Sequence, residues 1–114
     1  MVRFPGGEVE IGTTDRRAAY DNERPLHRVM VEPFDIDVTP VTCADYLGFV
    51  EDGGYRREEL WSAAGRAWLE ESKAEAPKYW SREGARWRMR RFDRVTGVET
   101  TQPVCHVCHH EAEA

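Results

Sequence analysis

Gln102–Ala114 reads QPVCHVCHHEAEA, and two different architectures follow from it. Read as a ligand set, Cys105, His106, Cys108, His109 and His110 are the most chemically loaded stretch of the chain. Read as backbone, the same residues are a strand running into the start of a helix. Cys105 to His109 satisfies the Cys-x-x-Cys-His spacing that tethers haem through two thioethers with the histidine as axial ligand. Haem attachment of that type belongs to exported proteins, and the opening MVRFPGGEVE has no apolar core of a secretion signal. The pair is also a good zinc half-site, because thiolate and imidazole are the preferred zinc ligands. A structural zinc needs four ligands converging from separated segments, however, and only Cys43 and His27 lie elsewhere, neither in a paired half-site. A small metal-binding protein using Cys105, Cys108 and His109 stays open at this level; strand into helix is the reading the residues favour.

Working outward, 114 residues is the size of one small domain or part of one. The 21 acidic residues outnumber the 16 basic ones, for a net charge of -5. That balance opposes general attraction to nucleic acid or an anionic membrane surface. No apolar run approaches the roughly 18 residues of a membrane span. Three cysteines are an odd number, so reduced thiols are expected rather than a disulfide framework, and a reducing cytoplasm fits.

Periodicity places the elements. In EVEIG (Glu8–Gly12) and HRVMVEPFDIDV (His27–Val38), Val29 and Val31, then Phe34, Ile36 and Val38, fall at alternate positions, the latter three separated by Asp35 and Asp37, predicting half-buried strands. Pro33 cannot donate to a ladder and marks an edge, bulge or bend between the two runs. In TCADYLGFVEDGG, Thr42 with Asp45 three residues on is a capping-box pattern, and Cys43, Tyr46, Leu47 and Val50 follow at helical spacing before Gly53 and Gly54. A second helix is expected within REELWSAAGRAWLEES (Arg57–Ser72), with Leu60, Trp61, Ala64 and Trp68 on one face and Gly65 as a weak point. From Ala76 a turn at Gly84 and the alternation of Trp87 and Met89 indicate a strand, and DRVTGVETTQP after it reads as loop. No repeat or linker divides the chain. The order indicates an α+β domain of short strands with two helices and much coil.

Two further constellations have plain readings. Arg82, Arg86, Arg88, Arg90, Arg91 and Arg94 are interleaved with Trp80, Trp87 and Phe92, a mixture that can track a single-stranded nucleic acid. The period-2 placement is also what a strand with one wet face shows, and that reading is preferred. AYDNERPLH (Ala19–His27) is a polar turn entering a strand, with His27 as a hydrogen-bonded scaffold residue rather than a ligand.

In order along the chain, FPGGEVEIGT, AYDNERPLHRVMVEPFDIDVTPVT, YLGFVEDGGY, LWSAAGRAW, APKYWSREGARWRMRRFD and QPVCHVCHHEAEA resemble the first half of the formylglycine-generating-enzyme, or sulfatase-modifying-factor, domain. Within that superfamily they look most like the version in ergothioneine-biosynthesis sulfoxide synthases. The resemblance implies a C-type-lectin-like fold, truncated, with residues 1–114 as the N-terminal half of such a domain and no second domain. By the same alignment Cys108 stands where relatives carry a helix-capping serine, with Glu111 at the capping-box position, His109 replaces an aromatic, and Cys43 replaces an asparagine.

The implied parent is an oxygen-dependent non-haem-iron enzyme that joins the sulfur of a cysteine-containing thiol to trimethylhistidine, a betaine, giving a sulfoxide. Its iron(II) sits on three histidines of a separate N-terminal DinB-like helical domain, and its catalytic residues lie in the C-terminal half of the lectin-like domain. No catalytic, cofactor-binding or metal-binding position therefore carries over to this sequence, including Cys105 and Cys108. The expectation is an enzyme fragment, inactive alone, prone to dimerise or aggregate through uncovered apolar surface; the alternative is a non-catalytic lectin-like binding module or relic.

Overall fold

A computed structural model describes residues 1–114, and the chain divides into two compact units, Met1–Thr39 and Pro40–Ala114. In the first unit, β1 (Val2–Phe4) pairs antiparallel with β4 (Phe34–Ile36), bringing Phe4 opposite Phe34 with their rings stacked at 5.1 Å. Between them in sequence, β2 (Gly7–Ile11) pairs antiparallel with β3 (His27–Val31), and Arg28 reaches Glu8 and Glu10 across that ladder at 3.1 and 3.3 Å. Gly6 adopts φ +74° where the chain leaves β1. A Cβ there would lie 2.4 Å from the Val31 carbonyl oxygen, so only glycine fits. Pro33 falls in the break between β3 and β4, as its missing donor requires.

The expected half-burial of these strands is corrected. Ile36 is 52% exposed and Val38 73%, and Val9, Ile11, Val29 and Phe34 are exposed too. Alternation signals a face that can be buried, but each sheet here has two strands, too few to bury a face by itself. The polar turn is as expected: a 3-10 turn at Asp21–Glu23 is closed by the Tyr20 N–H donating to the Glu23 carboxylate at 2.7 Å. His27 Nδ1 lies 2.9 Å from the Pro25 carbonyl oxygen, the scaffold role read from sequence.

The second unit is helical at its start. α1 (Cys43–Glu51) is capped by Thr42, whose hydroxyl accepts the Asp45 N–H at 3.2 Å while Asp45 accepts the Thr42 N–H at 3.1 Å. Its buried side is Cys43, Tyr46 and Val50, the spacing predicted. α2 (Ala63–Ser72) starts later than its apolar pattern suggested, because the Ser62 hydroxyl accepts the Gly65 N–H at 3.1 Å and sets the cap there. Leu60 and Trp61 therefore precede the helix, Ala64 is exposed, and the inward side is Gly65, Trp68 and Leu69. Gly65 is the point of closest approach rather than a weakness: a Cβ there would meet the Trp61 ring at 3.2 Å.

A three-stranded antiparallel sheet follows: β5 (Trp80–Glu83), β6 (Arg86–Arg91) and β7 (Arg94–Gly97). Gly84, at φ +61°, makes the expected turn. β7 is a strand where its composition indicates loop: Val95 and Thr96, both β-branched, pair with Arg90 and Met89 around a turn at Phe92 and Asp93. The last segment returns to α1 through a single antiparallel bridge, Thr42 to Pro103, before α3 (His109–Glu113), the helix start expected in Gln102–Ala114, which joins the two longer helices α1 and α2. Tyr46, Val50, Tyr55 and Trp61 form the buried core, with Phe49, Trp68, Leu69, Trp87, Val104 and Val107 packed against it. The result is a mixed helix and strand protein with short antiparallel sheets, the α+β class expected.

Candidate functional site

Two adjoining open grooves of about 450 and 490 Å³ mark the second unit, sharing Lys73, Ala74, Glu75, Arg82 and Trp87 as a common wall. Sheet register creates the aromatic part of that wall. Trp80 lies opposite Met89 and Arg82 opposite Trp87, so all four occupy one face of the β5–β6 hairpin, with the Trp80 and Trp87 rings 6.4 Å apart. The larger groove adds Trp68 from α2, itself stacked on Trp61 at 6.1 Å, and Pro77 and Tyr79. Lys73, Lys78 and Arg82 bring positive charge to a lining that sets Glu75, Glu111 and two serines beside its aromatic side chains.

Beneath it runs a buried polar chain. Glu111, 4% exposed, accepts the Tyr55 hydroxyl at 2.5 Å and the Cys108 N–H at 2.6 Å; the Tyr46 and Tyr55 hydroxyls lie 3.2 Å apart. Burial pushes the Tyr46 phenol up to about 12, opposed by its bond to Tyr55; burial, then the bond to Glu111, raises Tyr55 further. Both therefore stay protonated donors at neutral pH. They hold α3 and α1 together, with Tyr55 also bordering the first groove and its partner Glu111 the second.

The Cys and His residues of the loaded stretch are not brought to a point. Cys43 is buried and Cys105 exposed, and both thiols donate to the Pro103 carbonyl oxygen at 3.6 Å. The His106 ring meets Tyr79 edge-on at 4.9 Å, His109 leans toward Glu113 at 3.6 Å, and His110 lies against Trp68 at 6.2 Å. His27 belongs to the first unit. No three or more His, Cys, Asp or Glu side chains are placed to hold a metal ion, so the converging ligands of a structural zinc are not assembled. Cys108 instead caps α3, its N–H bonded to Glu111 three residues on, which is the strand-to-helix reading of Gln102–Ala114.

The arginines split by strand face. Arg86, Arg88 and Arg90 alternate with Trp87 and Met89, and Arg88 lies 3.5 Å from Glu83, its own hairpin partner strand. Arg90 Nε donates to the Phe92 carbonyl at 2.9 Å, and Arg82 Nε to the Gly84 carbonyl at 3.1 Å. These contacts are local to the hairpin, as for a solvated strand face. Sequence reasoning missed the Tyr55–Glu111 pair, which joins residues 56 apart and leaves no local signal. It also missed the groove, for which the tryptophans were the one available hint.

The family described as Sulfatase-modifying factor enzyme 1-like domain matches residues 1–114, the entire length. This chain belongs to that family. Among members of the sulfatase-modifying-factor family, hercynine oxygenase of Mycolicibacterium thermoresistibile is 43% identical over 104 residues, covering 91% of this chain and 23% of the relative. Hercynine oxygenase of Mycolicibacterium smegmatis is 38% identical over 115 residues, 99% of this chain and 26% of the relative. The formylglycine-generating enzyme of Streptomyces coelicolor is 35% identical over 127 residues, all of this chain and 40% of the relative. The chain thus spans about a quarter of the length of the hercynine oxygenases it matches.

Proposed function

We propose that residues 1–114 are the N-terminal half of a C-type-lectin-like, sulfatase-modifying-factor-type domain in a non-haem-iron, oxygen-dependent sulfoxide synthase of ergothioneine biosynthesis. The observation that carries this reading is the similarity to hercynine oxygenases over 91% and 99% of the chain at 43% and 38% identity. It supports the enzyme over a non-catalytic binding module. The parent reaction joins the sulfur of cysteine or a cysteine-containing thiol to the imidazole ring of trimethylhistidine. This chain's role in it is structural: Trp68, Trp80 and Trp87 offer an apolar wall, and the Tyr55–Glu111 bond fixes the helices behind that wall.

The donor set here does not fit an iron centre, and no step of the reaction is assigned to these residues. Iron(II) is proposed to be held by the histidines of a DinB-like helical domain, and catalytic residues by the C-terminal half of the domain. That half is the proposed cover of the aromatic grooves, in keeping with relatives roughly four times as long. Without it, exposed side chains such as Met30, Ile36 and Tyr79 favour dimers or aggregates. No helix is long and apolar enough to cross a membrane, and the cytoplasm is the proposed compartment.

The test is iron-dependent sulfoxide formation from trimethylhistidine and either cysteine or γ-glutamylcysteine. The parent enzyme is expected to form the product only with iron and oxygen, and residues 1–114 alone to form none. Carbon–sulfur bond formation by the isolated 114 residues, or by the parent after stringent iron removal, would overturn the proposal.

A further inference from the structure

Two thiols share one acceptor. Cys43, 1% exposed in the first turn of α1, and Cys105, exposed beyond the bridge, each donate to the Pro103 carbonyl oxygen at 3.6 Å. Their sulfurs are therefore separated by no more than twice that distance. The two segments are also tied through backbone: the Cys43 N–H donates to the Gln102 carbonyl at 2.7 Å and the Val104 N–H to the Val41 carbonyl at 3.0 Å, on either side of the Thr42–Pro103 bridge. In that register Cys43 lies opposite Gln102 and Cys105 two residues beyond Pro103, so the two thiols are related through the Pro103 carbonyl they share rather than by direct cross-strand opposition.

We propose that Cys43 and Cys105 are a disulfide-forming pair, a thiol modification site with Cys105 as the thiol that meets the oxidant. Cys105 borders a small cleft of about 50 Å³ whose walls include Lys78, Arg90, Arg91 and His106, a positive surround that draws an anionic low-molecular-weight disulfide. Exchange then runs in two steps. Cys105 sulfur, as thiolate, attacks one sulfur of the small disulfide, forming a mixed disulfide and releasing one small thiol. Cys43 then gives up its proton, attacks the Cys105 sulfur and releases the second small thiol. Two protein S–H bonds are lost, one protein S–S bond forms, and the two electrons leave on the reduced small disulfide. Burial raises the Cys43 thiol above its ordinary range, which suits it to the second step rather than the first. Cys108, despite its Cys-x-x-Cys spacing from Cys105, is held as the α3 cap by its N–H bond to Glu111.

The test is oxidation of the native protein with glutathione disulfide, an acid quench into denaturant with an alkylating agent, and peptide mapping of the unalkylated cysteines. In these residues the free-thiol count is expected to fall from three to one, with Cys43 joined to Cys105 and Cys108 alkylated. The Cys108→Ser variant is expected to retain the crosslink and Cys105→Ser to abolish it. Because the mapping is done on the unaltered protein, it does not depend on either variant folding. Recovery of Cys43 in its alkylated form, or a Cys105–Cys108 loop as the main product, would overturn the proposal.

Discussion

The Tyr55 hydroxyl donates to the Glu111 carboxyl group at 2.5 Å, 56 residues away in sequence, and Glu111 spends its other oxygen on the Cys108 N–H at 2.6 Å. One buried side chain thus caps α3 and anchors it to the loop after α1. Truncating one partner leaves the other buried and unpaired, which costs more than the bond's net worth. Tyr55→Phe should cost about 1–3 kcal/mol. Glu111→Ala, which orphans two donors and opens a cavity, should cost more than about 3 kcal/mol. Glu111→Gln keeps one acceptor oxygen and should fall between them. Urea midpoints of the three variants check the order; Glu111→Gln as the worst of them would contradict it.

The same network fixes a response to alkali. Tyr46 is raised from about 10 to about 12 and Tyr55 is raised beyond it, both chiefly by burial. A raised phenol is protonated in the folded state while the unfolded one ionises, so its stabilisation is intact below pH 10 and is lost as the pH climbs through 10 toward 12. Each tyrosine steepens the loss by about 1.4 kcal/mol per pH unit in that window. Urea titrations across it should show the slope, and Tyr46→Phe should make it shallower. Stability flat from pH 9 upward would show that these hydroxyls titrate normally.

The elements legible from sequence were those with local chemical signals at both ends. Thr42 and Asp45 opened α1, and Cys43, Tyr46 and Val50 proved its buried face; Gly84 placed the hairpin. α2 lies within the expected Arg57–Ser72 stretch, but Leu60 and Trp61, expected on its apolar face, precede it, because Ser62, three residues before Gly65, sets the cap. β7 escaped because Gly97 and the charged residues around Val95 and Thr96 read as loop, and strandhood there comes from pairing with β6. Burial was overestimated in the first unit for a related reason: alternation at Val29 and Ile36 states which side could be covered, not that a cover is present. The site was the least legible part, since the groove exists only once Trp68 and Trp87 are brought together from a helix and a strand.

Two helix glycines should respond to alanine with opposite signs. Gly48 in α1 has nothing within 4 Å of an added Cβ, so Gly48→Ala should stabilise by about 0.8–1 kcal/mol through helix propensity. Gly65 in α2 would place its Cβ 3.2 Å from the Trp61 ring and 3.3 Å from the Ser62 hydroxyl. Trp61 cannot step aside, because its Nε1–H donates to the Gly54 carbonyl at 2.9 Å and its ring is stacked on Trp68. Overpacking of about 1–3 kcal/mol then outweighs the propensity gain, and Gly65→Ala should destabilise by about 1 kcal/mol. Thermal midpoints moving in the same direction for both variants would refute the contrast.

Cys108 occupies an N-cap with extended backbone, φ −90° and ψ 175°, while Glu111 already supplies the reciprocal half of a capping box. A thiol accepts the N3 N–H weakly, whereas a hydroxyl in the same conformation accepts it well. Cys108→Ser should therefore stabilise the protein by about 0.5–1 kcal/mol. The gain depends on Glu111 holding the cap geometry, so in a Glu111→Ala background the same substitution should gain less. A double-mutant cycle on urea midpoints reads that coupling directly. An equal gain in both backgrounds would mean that the serine acts elsewhere, and that the box at the start of α3 is not what orders Gln102–Ala114.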